Sequence, residues 1–306
     1  MSESEKKPTT LDGIIVKLIG GIYYVDASEN VYECTARGVF RNKGITPCCG
    51  DIVTVEATDD SKGVITQIQD RRNEIIRPPM ANLDNLVFVS STCEPPPNLQ
   101  LLDMFIAVAT YKGINPIIVF TKTDIESSEQ YEKIYRQCGI ETFSVNNSDP
   151  DSCLALKERL VGKLSAFTGN TGVGKTSLLN NMFPDLELKT QSISRKLGRG
   201  KHTTRHVSFY KLTEGGYIAD TPGFSSFDTN RYDIIFKDEL ADCFTEFKEY
   251  IGKCRFVNCS HTKEVDCAII EQVELGNIPK SRHESYVKMY ENAKLLNEWE
   301  YKKSKR

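Results

Sequence analysis

The stretch Gly169-Asn170-Thr171-Gly172-Val173-Gly174-Lys175-Thr176-Ser177 constrains this chain more than any other. It has the form Gly-x-x-x-x-Gly-Lys-[Ser/Thr], with strand-like residues 163–168 before it and a helical pattern over 176–182 after it. Glycines let such a loop curl with its N–H groups inward around a phosphate, at the positive end of the following helix. Lys175 adds a full charge toward the outer phosphates of a nucleoside triphosphate. The Thr176 hydroxyl is placed to ligate Mg²⁺.

The 306 residues exceed what one core usually holds, so two or three domains are expected. Residues 11–70 alternate as strands, with candidates at 11–19, 22–26, 31–36, 51–57 and 63–68 separated by turn residues. Five short strands without a helix predict a small barrel of the oligonucleotide-binding (OB-fold) kind. Its loop Arg37-Gly38-Val39-Phe40-Arg41-Asn42-Lys43 combines three cations with an aromatic ring. That suits stacking and phosphate contact, and a solvated loop on a packing barrel is the other reading. Arg71-Arg72 to Arg77-Pro78-Pro79 reads as a linker. Beyond it strands at 86–90, 116–120 and 142–145 alternate with helices at 99–112, 126–137 and 151–161, which predicts a parallel sheet covered by helices.

Strand 116–120 ends in Thr121-Lys122-Thr123-Asp124. Guanine differs from adenine in its ring N–H and amino donors, which a carboxylate such as Asp124 accepts, while the aliphatic stem of Lys122 covers the base plane. GTPases usually carry Asn-Lys-x-Asp here, and a threonine hydroxyl replaces only part of an amide's hydrogen bonding. A plain helix N-cap is the competing reading of this stretch, and adenine the competing base. Ser144, in Phe-Ser-Val-Asn, fits the supporting base-edge motif. After the phosphate loop come Gly198-Arg199-Gly200-Lys201-His202-Thr203-Thr204-Arg205 and strands at 207–212 and 216–219, the second running into Asp220-Thr221-Pro222-Gly223. Asp220 is expected to hold the Mg²⁺ water shell and Gly223 to meet the γ-phosphate.

Cys254, Cys259, His261 and Cys267 are spaced Cys-x₄-Cys-x-His-x₅-Cys. Three thiolates and an imidazole make a closed tetrahedral zinc site, with no open position for a catalytic water. Cys243 lies near enough to compete as a ligand. Residues 268–300 read as helical. From Lys280 onward eight cations face four acids, and the end Lys302-Lys303-Ser304-Lys305-Arg306 reads either as a phosphate contact or as a solvated tail.

Base motifs at 121 and 144 thus precede the phosphate loop, the reverse of the usual GTPase order. This order after a small barrel resembles the circularly permuted GTPases, and more narrowly the RsgA/YjeQ family. The segment 198–205 and the cysteine cluster are its most specific marks. The expected architecture is an α/β multidomain protein. It has a tail plus OB-fold β-barrel over 1–75, a circularly permuted P-loop GTPase domain over 76–235, and a zinc-binding helical domain over 236–306. The resemblance implies hydrolysis of GTP to GDP and phosphate during late maturation of the small ribosomal subunit, through rRNA binding. The alternative is an RNA-binding assembly chaperone in which GTP acts mainly as an occupancy switch. Many GTPases place a water-orienting glutamine after Asp-x-x-Gly, and here Phe224 stands there. His202 is the candidate that replaces it, with Thr204 as the switch threonine on Mg²⁺. The other reading has His202 contact rRNA phosphate beside Arg199, Lys201 and Arg205. A monomer is expected.

A net charge of −3 argues against a uniformly basic nucleic-acid protein. No apolar run reaches the roughly 18 residues of a membrane span. The N-terminal Met-Ser-Glu-Ser-Glu-Lys-Lys-Pro lacks a signal peptide's apolar core, so a cytoplasmic protein with reduced cysteines is expected.

Overall fold

The computed structural model describes residues 9–42, 44–186, 207–221 and 234–296. Strands β1 (Thr9–Ile19), β2 (Ile22–Ala27) and β3 (Asn30–Ala36) come first, followed by a one-turn helix α1 (Val39–Asn42). Then come β4 (Ile52–Ala57) and β5 (Lys62–Ile68), and the five strands close a barrel in the order β1-β2-β3-β5-β4. The long β1 makes closure possible. Its first half pairs with β4 from Thr9 to Ile14, and from Ile14 onward it pairs with β2, bending at an irregularity between Ile15 and Lys17. Ile15, Val25, Val53, Val55 and Ile65 fill the interior with no exposed surface. These are the inward positions of the alternation, and the five expected strands are present.

The expected linker is structured instead. Strands β6 (Glu74–Ile75) and β7 (Met80–Ala81) pair within it. The reason is an ion pair: Arg71 Nε reaches 2.7 Å from Oδ1 of Asp51, whose side chain is fully buried and also accepts from the N–H of Cys48. A buried carboxylate requires such partners. Arg72 is held in turn by Asp84 at 3.0 Å and by the Asn82 carbonyl at 2.7 Å.

Next come β8 (Asn85–Ser91), α2 (Leu99–Tyr111), β9 (Asn115–Thr121), α3 (Glu129–Gln137), β10 (Glu141–Ser144), α4 (Leu154–Leu160), β11 (Leu164–Gly169), α5 (Lys175–Met182), β12 (Phe209–Lys211) and β13 (Tyr217–Asp220). Strands of this series form a six-stranded sheet in the order β10-β9-β8-β11-β13-β12, with β8-β9 and β9-β10 parallel. Every residue of β8 and β11 is buried, the polar Asn85, Ser90, Ser91, Ser165 and Thr168 included. Asn98 caps α2, accepting from the N–H of Leu101 at 3.1 Å. Helix α3 starts three residues later than expected, because Lys122–Ser128 is spent on turns.

The chain divides into two compact units. Among the described residues one holds the stretch up to Asp84, Leu160–Ala166 and 207–221, and the other holds Asn85–Arg159, 167–186 and 234–296. In the first unit, the buried Asp26 of β2 takes Lys211 Nζ and the Tyr217 hydroxyl at 3.1 and 2.9 Å. In the second, helix 268–300 is interrupted, giving α6 (Ala268–Glu274) and α7 (Lys280–Lys294). Pro279 explains the break, since inside a continuous helix it would lack the i−4 hydrogen bond and clash with the carbonyl of Leu275.

Short turns over 241–247 join α6 and α7 around Phe244, Phe247, Ile269 and Tyr286, and Ala107 and Val108 of α2 belong to the same core. The C-terminal segment therefore shares its core with α2. At its centre Arg282 is wholly enclosed. It bonds Asp103 of α2 at 2.8 Å and Glu246 at 2.7 Å, and stacks on the Phe244 ring at 4.6 Å. Among the described residues no helix is long and apolar enough to cross a membrane.

Candidate functional site

Strand β11 delivers the chain into Gly169, where a Cβ would sit 2.3 Å from the carbonyl oxygen of Val89. Only glycine allows β8 and the loop to approach so closely. At the far end Gly174 holds φ +85° as the N-cap of α5, and a Cβ there would meet Asn147 Nδ2 at 2.5 Å. The two glycines of the motif are thus fixed by different neighbours. Two carbonyls at the helix end of the loop are engaged by neighbours. Val173 O accepts from the Thr121 hydroxyl, and Gly174 O accepts from Asn147 Nδ2 at 3.2 Å and from the N–H of Leu178 at 2.9 Å. Tying these carbonyls to neighbours is what a loop that binds anions through its N–H groups requires. Asn170, Thr171 and Gly172 form the exposed lip or its edge, Val173 anchors it in the core, and Lys175, Thr176 and Ser177 open the helix.

The base-reading stretch follows β9. Thr121 is buried, and Thr92 of the turn after β8 holds it, bonding the carbonyls of Thr121 and Lys122 through its hydroxyl at 3.2 and 3.0 Å. Lys122 adopts φ +59°, an uncommon conformation for a side-chain-bearing residue, and its ammonium donates to the Glu94 carbonyl. That tether fixes the lysine stem. Thr123 and Asp124 then turn outward. The Asp124 carboxylate is exposed and has no hydrogen bond or ion pair among the described residues.

Ser144 ends β10, but its hydroxyl is already engaged, lying 2.6 Å from that of Ser128 and donating to Glu132. Burial works to raise the Glu132 carboxyl, yet the two serine hydroxyls and Arg136 outweigh it and hold it below the usual carboxylate range. What Ser144 contributes is a fixed exit from β10. Its successors Val145 and Asn146 spend their N–H groups on Phe120 O at 2.8 Å and Ser152 Oγ at 3.0 Å.

Asp220 closes β13 in the first unit, near the Tyr210 phenol, which burial and then the Asp220 charge push upward. His202, Thr204 and Gly223 lie outside the described residues.

Cys254, Cys259, His261 and Cys267 offer four ligand atoms, all within 4.8 Å of one another. Metal–sulfur and metal–nitrogen bonds of about 2.3 and 2.0–2.1 Å at the tetrahedral angle imply edges of about 3.8 Å between sulfurs and about 3.5 Å from sulfur to nitrogen. Cys254 and Cys267 sulfurs are 3.8 Å apart, and each lies 3.5 Å from His261 Nδ1. The donor set fits a tetrahedral cation. None of the ten cysteines is in a disulfide. Cys243 is no competitor, since its thiol points to the Glu239 carbonyl at 3.4 Å.

An outer layer shapes the knuckle. His283 Nε2–H donates to the His261 carbonyl at 2.7 Å, and the Tyr286 hydroxyl to that of Ser260 at 2.9 Å. Glu264 gathers the N–H groups of Ser260, Thr262 and Lys263 within 3.1 Å. Burial opposes ionisation of that carboxyl, but the Ser260 hydroxyl and the N–H groups of Lys263 and Ser260 overcome it and bring it down to about 2.

Sequence comparison covers the barrel and the region of the phosphate loop. Residues 68–230 match the family model for the RsgA GTPase, and 12–65 match that for the RsgA N-terminal domain. The small ribosomal subunit biogenesis GTPase RsgA of Geobacillus kaustophilus is 45% identical over 285 residues, covering 90% of this chain and 95% of that protein. Its counterpart in Staphylococcus carnosus is 42% identical over 285 residues, covering 91% and 96%. Among solved structures, the circularly permuted GTPase YloQ superposes with a TM-score of 0.77 at 33% identity, covering 96% of this chain and 98% of that one. YjeQ from Thermotoga maritima gives 0.81 at 29% identity, covering 94% and 100%.

Proposed function

This chain belongs to the RsgA GTPase family of circularly permuted GTP hydrolases, and from that premise we propose that it turns over GTP on the maturing small ribosomal subunit in the cytoplasm, hydrolysis releasing it. The observation that carries the reading is the exposed Asp124 carboxylate, unpaired among the described residues, on the stretch whose Thr121 hydroxyl bonds Val173 O of the phosphate loop. Asp124 accepts the ring N–H and amino group of guanine, Lys122 and Thr123 line its turn, and Lys175 answers the outer phosphates. Mg²⁺, where bound, neutralises charge on the transferring phosphoryl group. Thr176 and Thr204 are the residues that would hold it, and Asp220 the one that would hold its water shell. The names of the relatives support the small subunit as partner, and the barrel and the C-terminal basic run are the surfaces proposed to meet its rRNA. A monomer acts, in three parts over 1–75, 76–235 and 236–306. Zinc is the proposed occupant of the Cys₃His cluster, as a structural ion.

The test is GTP turnover by the full chain alone and with purified small subunits, large subunits or free RNA. Stimulation by small subunits only is expected. Lys175→Ala is expected to lose on the order of 10²-fold or more in kcat/KM, as removal of a preorganised charge contact at a reacting group does. Turnover that ignores small subunits, or an active Lys175→Ala, would refute the proposal.

His202 is proposed to orient the attacking water in place of the glutamine that Phe224 displaces, with Gly223 at the γ-phosphate. His202→Ala is then expected to bind GTP and small subunits normally and to lose stimulated turnover. Weakened subunit binding with near-normal turnover at saturation would assign it to rRNA instead.

A further inference from the structure

We infer that Asn147 supplies the amide that position 121 lacks, and is the positioning residue that ties the phosphate loop to the base-reading strands. The inference deepens the GTP site proposed above and rests on it. An asparagine at 121 would bring two donor hydrogens, enough for two loop carbonyls at once. Thr121 brings one, and it goes to Val173 O, with Ser90 O farther away at 3.4 Å. The next carbonyl, Gly174 O, is taken by Asn147 Nδ2 from the segment after β10. Two tethers, one from Thr121 and one from the segment after β10, thus do what one amide at 121 could.

Three features fix Asn147 in this role. Its amide orientation is determined, because the flipped form would set Oδ1 against the Gly174 carbonyl, acceptor against acceptor. Its main chain is also gripped, since Asn181 Nδ2 of α5 donates to the Asn147 carbonyl at 2.7 Å. The segment after β10 therefore holds α5 at its N-cap and again along the helix. Finally, the tether and the glycine are made for each other: the space a Cβ would need at Gly174 is the space Nδ2 occupies, and Thr121 Oγ1 lies 3.8 Å from the same point. Asn147 Oδ1 is enclosed without a partner among the described residues.

Base and phosphate affinity are then coupled through one rigid corner, and the variants follow. Asn147→Ala in the full chain is expected to weaken GDP and GTP about 10-fold, the upper range for one lost hydrogen bond. The nucleotide-free thermal midpoint should scarcely move. Adding Thr121→Asn restores an amide at the same corner, and affinity is expected to recover to within about 3-fold of the unaltered protein. Unchanged affinity in Asn147→Ala overturns the inference. So does a loss that Thr121→Asn fails to restore, because a residue serving only its own loop is not rescued from another strand. Absence of GTP binding by the unaltered protein, measured in the same titration, would instead strike the GTP site itself.

Discussion

Arg282→Ala is expected to cost about 3–5 kcal/mol of folding stability, the range for removing one partner from a buried ion pair. Its guanidinium is fully enclosed, and the side chains of Asp103 and Glu246 are 1% and 4% exposed. Glu246 receives two of its N–H groups, at 2.7 and 3.2 Å, in a near-bidentate grip, and Asp103 receives a third at 2.8 Å. One cation between two carboxylates leaves an excess negative charge in the core. The protein answers partly by burial, which raises Asp103 against the pull of Arg282, Ser285 and Tyr135 and so favours its protonated form. Alanine would remove the cation, leave the two carboxylates facing each other, and open a cavity under the Phe244 ring. Denaturant unfolding of the variant should show the loss at unchanged slope. A triple replacement with apolar side chains, Arg282→Met with Asp103→Leu and Glu246→Leu, should recover most of it, because the desolvation penalty disappears with the charges. A loss below about 1 kcal/mol in Arg282→Ala would show the triad to be dispensable.

That triad was not legible in the sequence as a unit, since its members lie 36 and 179 positions apart. One signal was present. Asp103 sits within the otherwise apolar face Leu102, Phe105, Ile106 and Val108 of α2, and a carboxylate there requires a buried partner. The barrel was readable because alternation with period two survives in short strands, and β8 because the centre of a strand buried on both faces, residues 86–89, is continuously apolar. The phosphate loop and the cysteine cluster were readable because their chemistry imposes local spacing. Asn147 was not, since the carbonyl it holds lies 27 positions away and no motif marks it. The residues 71–79 looked like a linker because prolines and arginines dominate them, whereas the buried Asp51 that organises Arg71 is 20 positions upstream. Ser144 was found for its place in a motif, and the structure gives its hydroxyl to Glu132.

Removing the metal from the Cys₃His cluster is expected to cost several kcal/mol, a part of the roughly 10–16 kcal/mol with which zinc-finger peptides bind theirs. The cluster's surroundings decide how far the damage travels. Residues 248–267 carry turns and little regular structure, so their shape depends on the ligands and on the donors around Glu264. Cys267, however, also opens α6 and packs in the core that Phe244, Phe247 and Tyr286 share with Ala107 and Val108 of α2. Loss of the metal should therefore unlock the knuckle first and then loosen α6, α7 and the outer face of α2, rather than stop at the edge of the C-terminal segment. Hydrogen exchange on the chelated protein, or on Cys259→Ser, should show protection falling in that order. Elemental analysis of freshly purified protein should give one zinc per chain. Because thiolates and a neutral imidazole would be the ligands, the metal should dissociate as pH falls, and the stability difference between metal-loaded and chelated protein should vanish with it. Protein purified without metal, or a Cys259→Ser variant with an unaltered unfolding curve, would remove the ion from the account and leave the aromatic core to hold the segment alone.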